Sequence, residues 1–284
     1  MNIYILRRKG SGIATCRGIG QNMPKLTKVI NEHKIRRILR LRRNPDILIR
    51  WGCLAPLNGR IEINSPEVIN LVNDKISSRK LLFENGVSVP KTYFSKQQII
   101  DSNPNFPLIG RKKYHSQGLG MNISENRQNI INDRKSEYWS EYIKKDREFR
   151  IFVFFGKILG VCEKIPNNPD AISWNNSLNN GIFKTLKKRE FPLPACFLAL
   201  KAAKILNVDF SAVDIISKGD KNYVLELNNA PTCSDYRQLL FSRAFNWLIE
   251  KVEELNVKPP HFELPNNVRR FKQIVHPCLL NLAE

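Results

Sequence analysis

Glu226 and Asn228 stand two residues apart in "VLELNNAP" (224–231), at the end of a segment otherwise suited to a buried strand. Strand side chains alternate with period two, so the carboxylate and the amide share one face. Upstream, "AVDIIS" places Asp214 on a second strand. A short turn near Asp220 in "SKGDKN" closes the two into a hairpin with Asp214 roughly opposite Glu226. Three oxygen donors then converge, and hard oxygens of this kind suit Mg²⁺, which takes one or two carboxylates and completes its shell with water and phosphate oxygens. A strand end with a solvated polar face fits the octapeptide alone equally well.

Four further stretches bear on that choice: "DK" (74–75), "PLIGRKKYHSQGLG" (107–120), "SEYIKKDREFRIFV" (140–153) and the hairpin itself, in that order along the chain. Glycines at 118 and 120 let backbone amides approach anionic oxygens closely. Glu141 and Glu148 lie seven apart, and Arg150 opens a strand. Neither GxxxxGK[ST] nor the HRD and DFG of protein kinases occurs, so a nucleotide site here is of another type.

In these motifs the sequence resembles the ATP-grasp superfamily, whose members include D-alanine–D-alanine ligase and the ribosomal-protein glutamate ligases. The resemblance covers about residues 64 to 234. It implies an α/β (α+β) fold, with a small N-terminal α/β domain (1–63) and two α+β subdomains (64–135 with the glycine loop, 136–256 with the metal site) clasping the nucleotide. A C-terminal tail (257–284) follows. It implies ATP and Mg²⁺ as cofactors. Lys75 and Arg111 would contact phosphates, and His115, Gly118 and Gly120 would fold over them. Glu141, Tyr142 and Ile143 would meet the adenine edge, and Glu148 the ribose. Asp214, Glu226 and Asn228 would hold the metal. Arg150, with Arg111, would act on the transferred phosphate or acyl group. Two departures stand out: Arg111 replaces the usual lysine, keeping charge but exchanging an ammonium for a planar fork, and Thr232 follows Pro231 where the family has glycine. The activity implied is an ATP-dependent carboxylate–amine ligase working through an acyl phosphate and releasing ADP and phosphate. Its substrates would be an unidentified carboxylate and amine, the acceptor being a peptide, a protein or another acidic molecule.

The elements that must position these residues are partly legible. "NIYIL" (2–6) and "DILIRWG" (46–52) read as strands, "RRKGSGIATCRGIG" as a glycine-containing loop, and about 24–33 as a helix. Ser65 as N-cap, Pro66 at N1 and Gly86 as C-cap bound a helical region. "PLIGRKK", "WSEYI" and "FRIFVFFGKILGVCEKI" read as strands, the last turning at Gly156-Lys157. Helices follow at 195–208 and 235–256. The segment "WNNSLNNG" (174–181) and "IRWGCLAPLNG" (49–59) are candidates for substrate specificity, with Trp51 read as core.

Of the net charge of +20, residues 1–60 carry fourteen Lys/Arg against two acids, and "KIRRILRLRR" (34–43) holds six basic residues in ten. This block reads either as a solvated basic face or as a groove for an acidic partner, peptide or nucleic acid. The second reading leaves open a nucleic-acid-binding or nucleic-acid-modifying protein, and the Arg111 and Thr232 departures leave open a nucleotide-binding module without ligase chemistry. Six cysteines lie singly with no CxxC pair, so neither zinc nor a disulfide framework is indicated, and the lone cysteines and histidines read as structural. No apolar run reaches the ~18 residues of a membrane span. The start lacks a secretory pattern, and a cytoplasmic protein is the expectation.

Overall fold

The computed structural model describes residues 1–9, 12–35, 44–114, 120–172, 174, 181–266, 268 and 270–280. Its strands form three sheets, as a mixed α/β chain requires. The first is wholly parallel, in the order β2-β1-β3-β4, from β1 (Ile3–Arg7), β2 (Thr27–Asn31), β3 (Ile47–Trp51) and β4 (Ile61–Ile63). Every residue of β1 and β3 is buried, the pattern of parallel strands covered on both faces.

Two readings of this region are corrected. Residues 24–33 are not a helix but contain β2, whose Val29 and Ile30 favour extended backbone. The glycine-containing stretch is not all loop, because α1 (Ile13–Gln21) occupies it. Its glycines serve packing: a Cβ on Gly18 would lie 1.6 Å from the Gln238 carboxamide oxygen, and one on Gly20 would lie 3.0 Å from Val29.

After β4, the expected helical region divides at Asp74 into α2 (Pro66–Asn73) and α3 (Lys75–Glu84). Ser65 caps the first by accepting from the Val68 N–H. Asp74 caps the second by accepting from Ile76 and Ser77, each at 3.1 Å. Gly86 follows α3 at φ +67°, the left-handed position at which helices stop. The second sheet, antiparallel and ordered β5-β8-β6-β7, uses β5 (Thr92–Tyr93), β6 (Leu108–Arg111), β7 (Asn122–Ser124) and β8 (Tyr138–Glu141). Helices α4 (Lys96–Ser102) and α5 (Arg127–Asn132) cover it, burying Ile99 and Ile130 with Tyr93, Leu108 and Trp139.

The third sheet is antiparallel with order β11-β10-β9-β12-β13, from β9 (Arg147–Phe154), β10 (Lys157–Ile165), β11 (Ile182–Thr185), β12 (Phe210–Lys218) and β13 (Lys221–Asn228). The β9–β10 turn lies at Phe155-Gly156, one residue earlier than expected. Both have positive φ (+47° and +79°), which matches the right-handed twist of a two-residue hairpin. Helices α6 (Leu193–Ile205) and α7 (Asp235–Leu255) pack on this sheet. Trp51, fully buried, stacks on Phe210 at 5.0 Å and meets Phe241 edge-on at 5.2 Å. The first and third sheets thus share one core. Asn64 reinforces the junction: at φ +58° its side chain accepts from Asp209 N–H (2.9 Å) and donates to the Phe210 carbonyl (2.8 Å).

We propose the three sheets as the units of the chain. The break at 63/64 falls just after β4, whereas the pairing of β8 with β5 and β6 moves the second break beyond Glu141.

Candidate functional site

The register of the third sheet aligns the chemistry. Across five strands, Thr185, Cys162, Arg150, Asp214 and Glu226 are successive partners on one face. One row away run Glu148, Ile216 and Tyr223, and one row to the other side Phe152, Ala212 and Asn228. This alignment depends on an irregularity. From the turn, Lys218 pairs with Lys221 and Ile215 with Val224, a count that would set Leu225 against Asp214. A bulge there sets Glu226 against Asp214 instead. Val224 and Leu227, three apart, are consequently both buried, while Glu226 and Asn228 turn to the opposite face.

Around this row the ion pairs are dense. Arg150 grips Asp214 with two parallel bonds, Nε to Oδ1 and Nη2 to Oδ2, each 2.8 Å. Lys164 donates to Asp214 Oδ2 at 3.2 Å and also to Glu148 Oε1, while Lys145 stands 2.8 Å from Glu148 Oε2. Asp214 and Glu148 are each only 4% exposed and Lys164 6%. Burial alone would raise both carboxyls. For Asp214 the Arg150 and Lys164 charges outweigh burial, and for Glu148 the Lys164 and Lys145 charges do, so both carboxyls sit below their ordinary range. Burial likewise pulls on Lys164, but Asp214 and Glu148 reverse it and hold its ammonium above the usual value. Lys145 goes the other way: burial prevails over Glu148 and its pKa falls.

Lys75, at the start of α3, reaches across to β13. Its Nζ donates to the Leu227 carbonyl at 3.1 Å and lies 3.5 Å from Glu226 Oε2. Asn228 Oδ1 accepts from Ala230 N–H at 2.9 Å, which leaves one lone pair. Asp214, Glu226 and Asn228 therefore offer two carboxylates and an amide oxygen from neighbouring strands, a donor set that fits a hard divalent cation. Among the described residues no three His, Cys, Asp or Glu side chains gather about one point, so the set needs the Asn228 amide oxygen beside its two carboxylates.

The other expected residues are placed as follows. Arg111 ends β6, and its Nε is buried with no hydrogen-bond partner. Glu141 ends β8 and accepts from Tyr93 OH at 3.0 Å. The Tyr142 N–H is taken by the Pro107 carbonyl at 3.1 Å, so any contact of Tyr142 with a base would use its carbonyl. Gly120 has φ +72° with open space about it. His115 and Gly118 lie outside the described residues, as do 36–43 of the basic block and most of "WNNSLNNG".

Sequence reading missed Lys145, Lys164 and Arg237. Lys145 lies within the stretch 140–153 but was given no role there, Arg237 belongs to no local pattern, and Lys164 emerges only because β10 faces Glu148 and Asp214. Arg237, in the first turns of α7, donates to Cys162 Sγ at 3.1 Å, and its Nε is buried without a partner. Among the described residues it has no carboxylate within ion-pair distance, and the same holds for Arg111. Arg150, Lys164 and Arg237 surround the Phe183 ring at 5.0, 5.8 and 5.9 Å. A pocket of about 500 Å³ beside α6, lined by Leu200, Asp209 and His261 among others, contains none of these residues. Among the described residues no helix is long and apolar enough to cross a membrane.

Known proteins are similar to this chain in sequence and in fold. Coenzyme gamma-F420-2:alpha-L-glutamate ligase of Methanococcus maripaludis is 24% identical over 210 residues, covering 68% of this chain and 71% of that protein. Glutamate–LysW ligase ArgX of Sulfolobus acidocaldarius is 27% identical over 187 residues, 60% of this chain and 64% of that one. The crystal structure of D-alanine–D-alanine ligase from Bacillus anthracis superposes with a TM-score of 0.65 at 17% identity, over 90% of this chain and 98% of that one, which speaks for the fold. Residues 72–243, which span β5 to β13 and the whole row from Thr185 to Glu226, match the RimK-like ATP-grasp domain. The chain belongs to the RimK-like ATP-grasp family of ATP-dependent carboxylate–amine ligases, and the nucleic-acid reading of its basic segment is set aside as its function.

Proposed function

We propose that this chain joins a carboxylate to the amino group of an acidic amino acid, glutamate being the member its relatives' names suggest. The observation that carries the reading is the cationic surplus. Around the paired carboxylates, the guanidiniums of Arg111 and Arg237 lack carboxylate partners among the described residues. An anionic nucleotide and a carboxylate-bearing substrate are what such groups bind.

In the proposed reaction a carboxylate oxygen of the first substrate attacks the γ-phosphorus of ATP and ADP leaves. The amine of the second substrate then attacks the acyl carbon, phosphate departs with its electron pair, and the amine loses a proton to give the amide. Lys75 and Arg111 hold phosphates, and the segment with His115, Gly118 and Gly120 covers them. Glu141, Tyr142, Ile143 and Glu148 receive the nucleoside. Arg150 faces the transferred phosphoryl group, and Arg237 takes the carboxylate of the amine substrate. Asp214, Glu226 and Asn228 would hold Mg²⁺, which supplies charge neutralisation at the phosphates. The chain's own contribution is positioning and electrostatic stabilisation; no nucleophilic side chain is needed. The net charge of +20 favours an acidic acceptor.

Incubation with ATP, Mg²⁺ and hydroxylamine tests the first step. A hydroxamate and ADP are expected with the right carboxylate, and mass spectrometry of an extract treated with enzyme and ATP should reveal a product heavier by one acidic amino-acid residue. No ADP release above background across a panel of acidic peptides and amino acids, with Asp214→Ala equal to wild type, counts against the reading.

A further inference from the structure

We propose that Arg79 is a positioning residue of the site: from α3 it clamps the carbonyl of Leu225 and thereby holds the register in which Glu226 faces Asp214. The inference rests on the ligase reading in one respect, that Asp214 and Glu226 serve the bound nucleotide.

Arg79 is 4% exposed, and among the described residues no carboxylate lies within ion-pair distance of it. Enclosing a cation without an opposite charge is costly, and an aliphatic side chain would fill the space without that cost. The guanidinium instead joins three elements. Its Nη1 donates to Thr92 Oγ1 of β5 at 3.2 Å and its Nη2 to the Leu225 carbonyl of β13 at 2.8 Å. Its Cζ lies 5.7 Å from the centre of the Tyr138 ring on β8.

Leu225 is the extra residue of the bulge between the pairs Asp214/Glu226 and Ile215/Val224. In an uninterrupted antiparallel strand, adjacent residues turn their N–H and C=O groups to opposite sides. Here the Val224 N–H and the Leu225 C=O both face away from β12. The Ser88 carbonyl accepts from the first at 2.9 Å, and Arg79 donates to the second. Lys75 donates to the Leu227 carbonyl at 3.1 Å. Lys75 and Arg79 stand four apart on α3, about 6 Å along its axis. The two carbonyls stand two apart on β13, about 6.6 Å, so one helix face matches the strand in one phase only. Flattening the bulge with the leucine retained would turn both carbonyls toward β12 and withdraw an acceptor from each cation. Of the two, Lys75 also faces Glu226 at 3.5 Å and is drawn to the phosphates when a nucleotide enters. Arg79, enclosed between β5, β8 and β13, keeps its bond.

The test measures AMP-PNP affinity in saturating Mg²⁺ by calorimetry and amide exchange over residues 222–228. The proteins are wild type, Arg79→Met, Arg79→Lys, a deletion of Leu225, and that deletion combined with Arg79→Met. Arg79→Met should bind AMP-PNP at least about tenfold more weakly than wild type and exchange its β13 amides at least about tenfold faster, with Arg79→Lys within about threefold in both. The deletion leaves no bulge to hold, so it should bind AMP-PNP within about threefold of wild type, and Arg79→Met should change that affinity by less than about threefold. An equal loss in both backgrounds overturns the inference, since Arg79 would then act on the nucleotide or on packing rather than on register. So does an Arg79→Met protein with wild-type affinity and exchange, a folded deletion protein that has lost AMP-PNP, or misfolding of Arg79→Met in both backgrounds. Misfolding only where Leu225 is present supports it. Wild type that fails to bind AMP-PNP removes the ligase reading, and the exchange comparison then still decides the role of Arg79.

Discussion

Replacing Asp214 by Asn removes one charge and little volume, and its consequences follow from the three bonds the carboxylate accepts. Arg150 supplies two at 2.8 Å and Lys164 one at 3.2 Å, in a side chain 4% exposed. An amide oxygen can keep only part of this set, and the new NH₂ faces a guanidinium that also donates. Removing one partner of a buried ion pair costs about 3–5 kcal/mol. Glu148 still balances Lys164, which puts the expectation near the lower end, about 3 kcal/mol, and lowers Tm by roughly 6–12 °C in a chain of this size. Acyl-phosphate formation should fall by at least about a hundredfold, because the carboxylate that orients Arg150 and would hold Mg²⁺ is gone. A thermal melt and the hydroxamate assay measure the two effects separately. The double variant Asp214→Leu with Arg150→Met, which removes both charges, should recover most of the stability and none of the activity. An Asp214→Asn protein that melts within about 1 °C of wild type and keeps its turnover would refute both the ion-pair energetics and the placement of Asp214 at the reacting group.

Arg237→Met should raise the KM for the amine substrate by roughly tenfold or more while leaving ATP affinity within about twofold, as read from ADP release at varied concentrations; an unchanged amine KM removes Arg237 from the substrate. Gly52→Ala should destabilise by about 1–3 kcal/mol in a urea titration, since Gly52 lies at φ +64° and a Cβ there would stand 2.7 Å from that of Ala230. Asp209 provides a pH test away from the site. Burial raises its carboxyl, but His261, Lys258 and the Asn64 N–H outweigh this and depress it. A depressed carboxyl contributes stability that is complete above its unfolded value of about 3.9 and is lost as pH falls toward the folded value. The wild-type stability curve should therefore fall more steeply below about pH 4 than that of Asp209→Asn; parallel curves would exclude the contribution.

Much of the site was legible because its residues announce themselves by chemistry. Lys75 in a helical region, Arg150 (expected to open a strand and found three residues into β9), and Glu226 and Asn228 two apart are polar residues where apolar ones would otherwise stand. Parts of the fold were legible for similar reasons: Ser65-Pro66 starts a helix and Phe155-Gly156 turns a hairpin within a residue of expectation. Helix α1 was hidden because Gly18 and Gly20 locally speak for a loop. Their purpose lies in Gln238 and Val29, distant in sequence or on another element. Lys164 and Arg237 were hidden because a single cation on a strand or helix resembles any solvated one, and Lys145 because it follows Lys144 in a charged connection between β8 and β9. Only strand pairing and the approach of α7 reveal that they are enclosed. The opposition of Asp214 to Glu226 was expected roughly, and the roughness had a cause, since counting from the turn gives Leu225.

That bulge has a consequence for how the chain tolerates change in length. The β12–β13 turn at Gly219 and Asp220 projects with open space around Gly219, so residues gained or lost in pairs there alter the hairpin tip and leave the site where it is. A single deletion at Leu225 would restore an uninterrupted ladder with Val224 still against Ile215 and Glu226 still against Asp214, so the side chains of β13 would keep their faces. Losing the bulge with the leucine retained is different in kind. Leu225 would then stand against Asp214, and because a slip of one residue exchanges the two faces of a strand, Glu226 and Asn228 would turn toward the apolar core. One extra leucine is therefore tolerated only as a bulge, and a gap of one residue there should disturb the site far less than one residue gained on its far side.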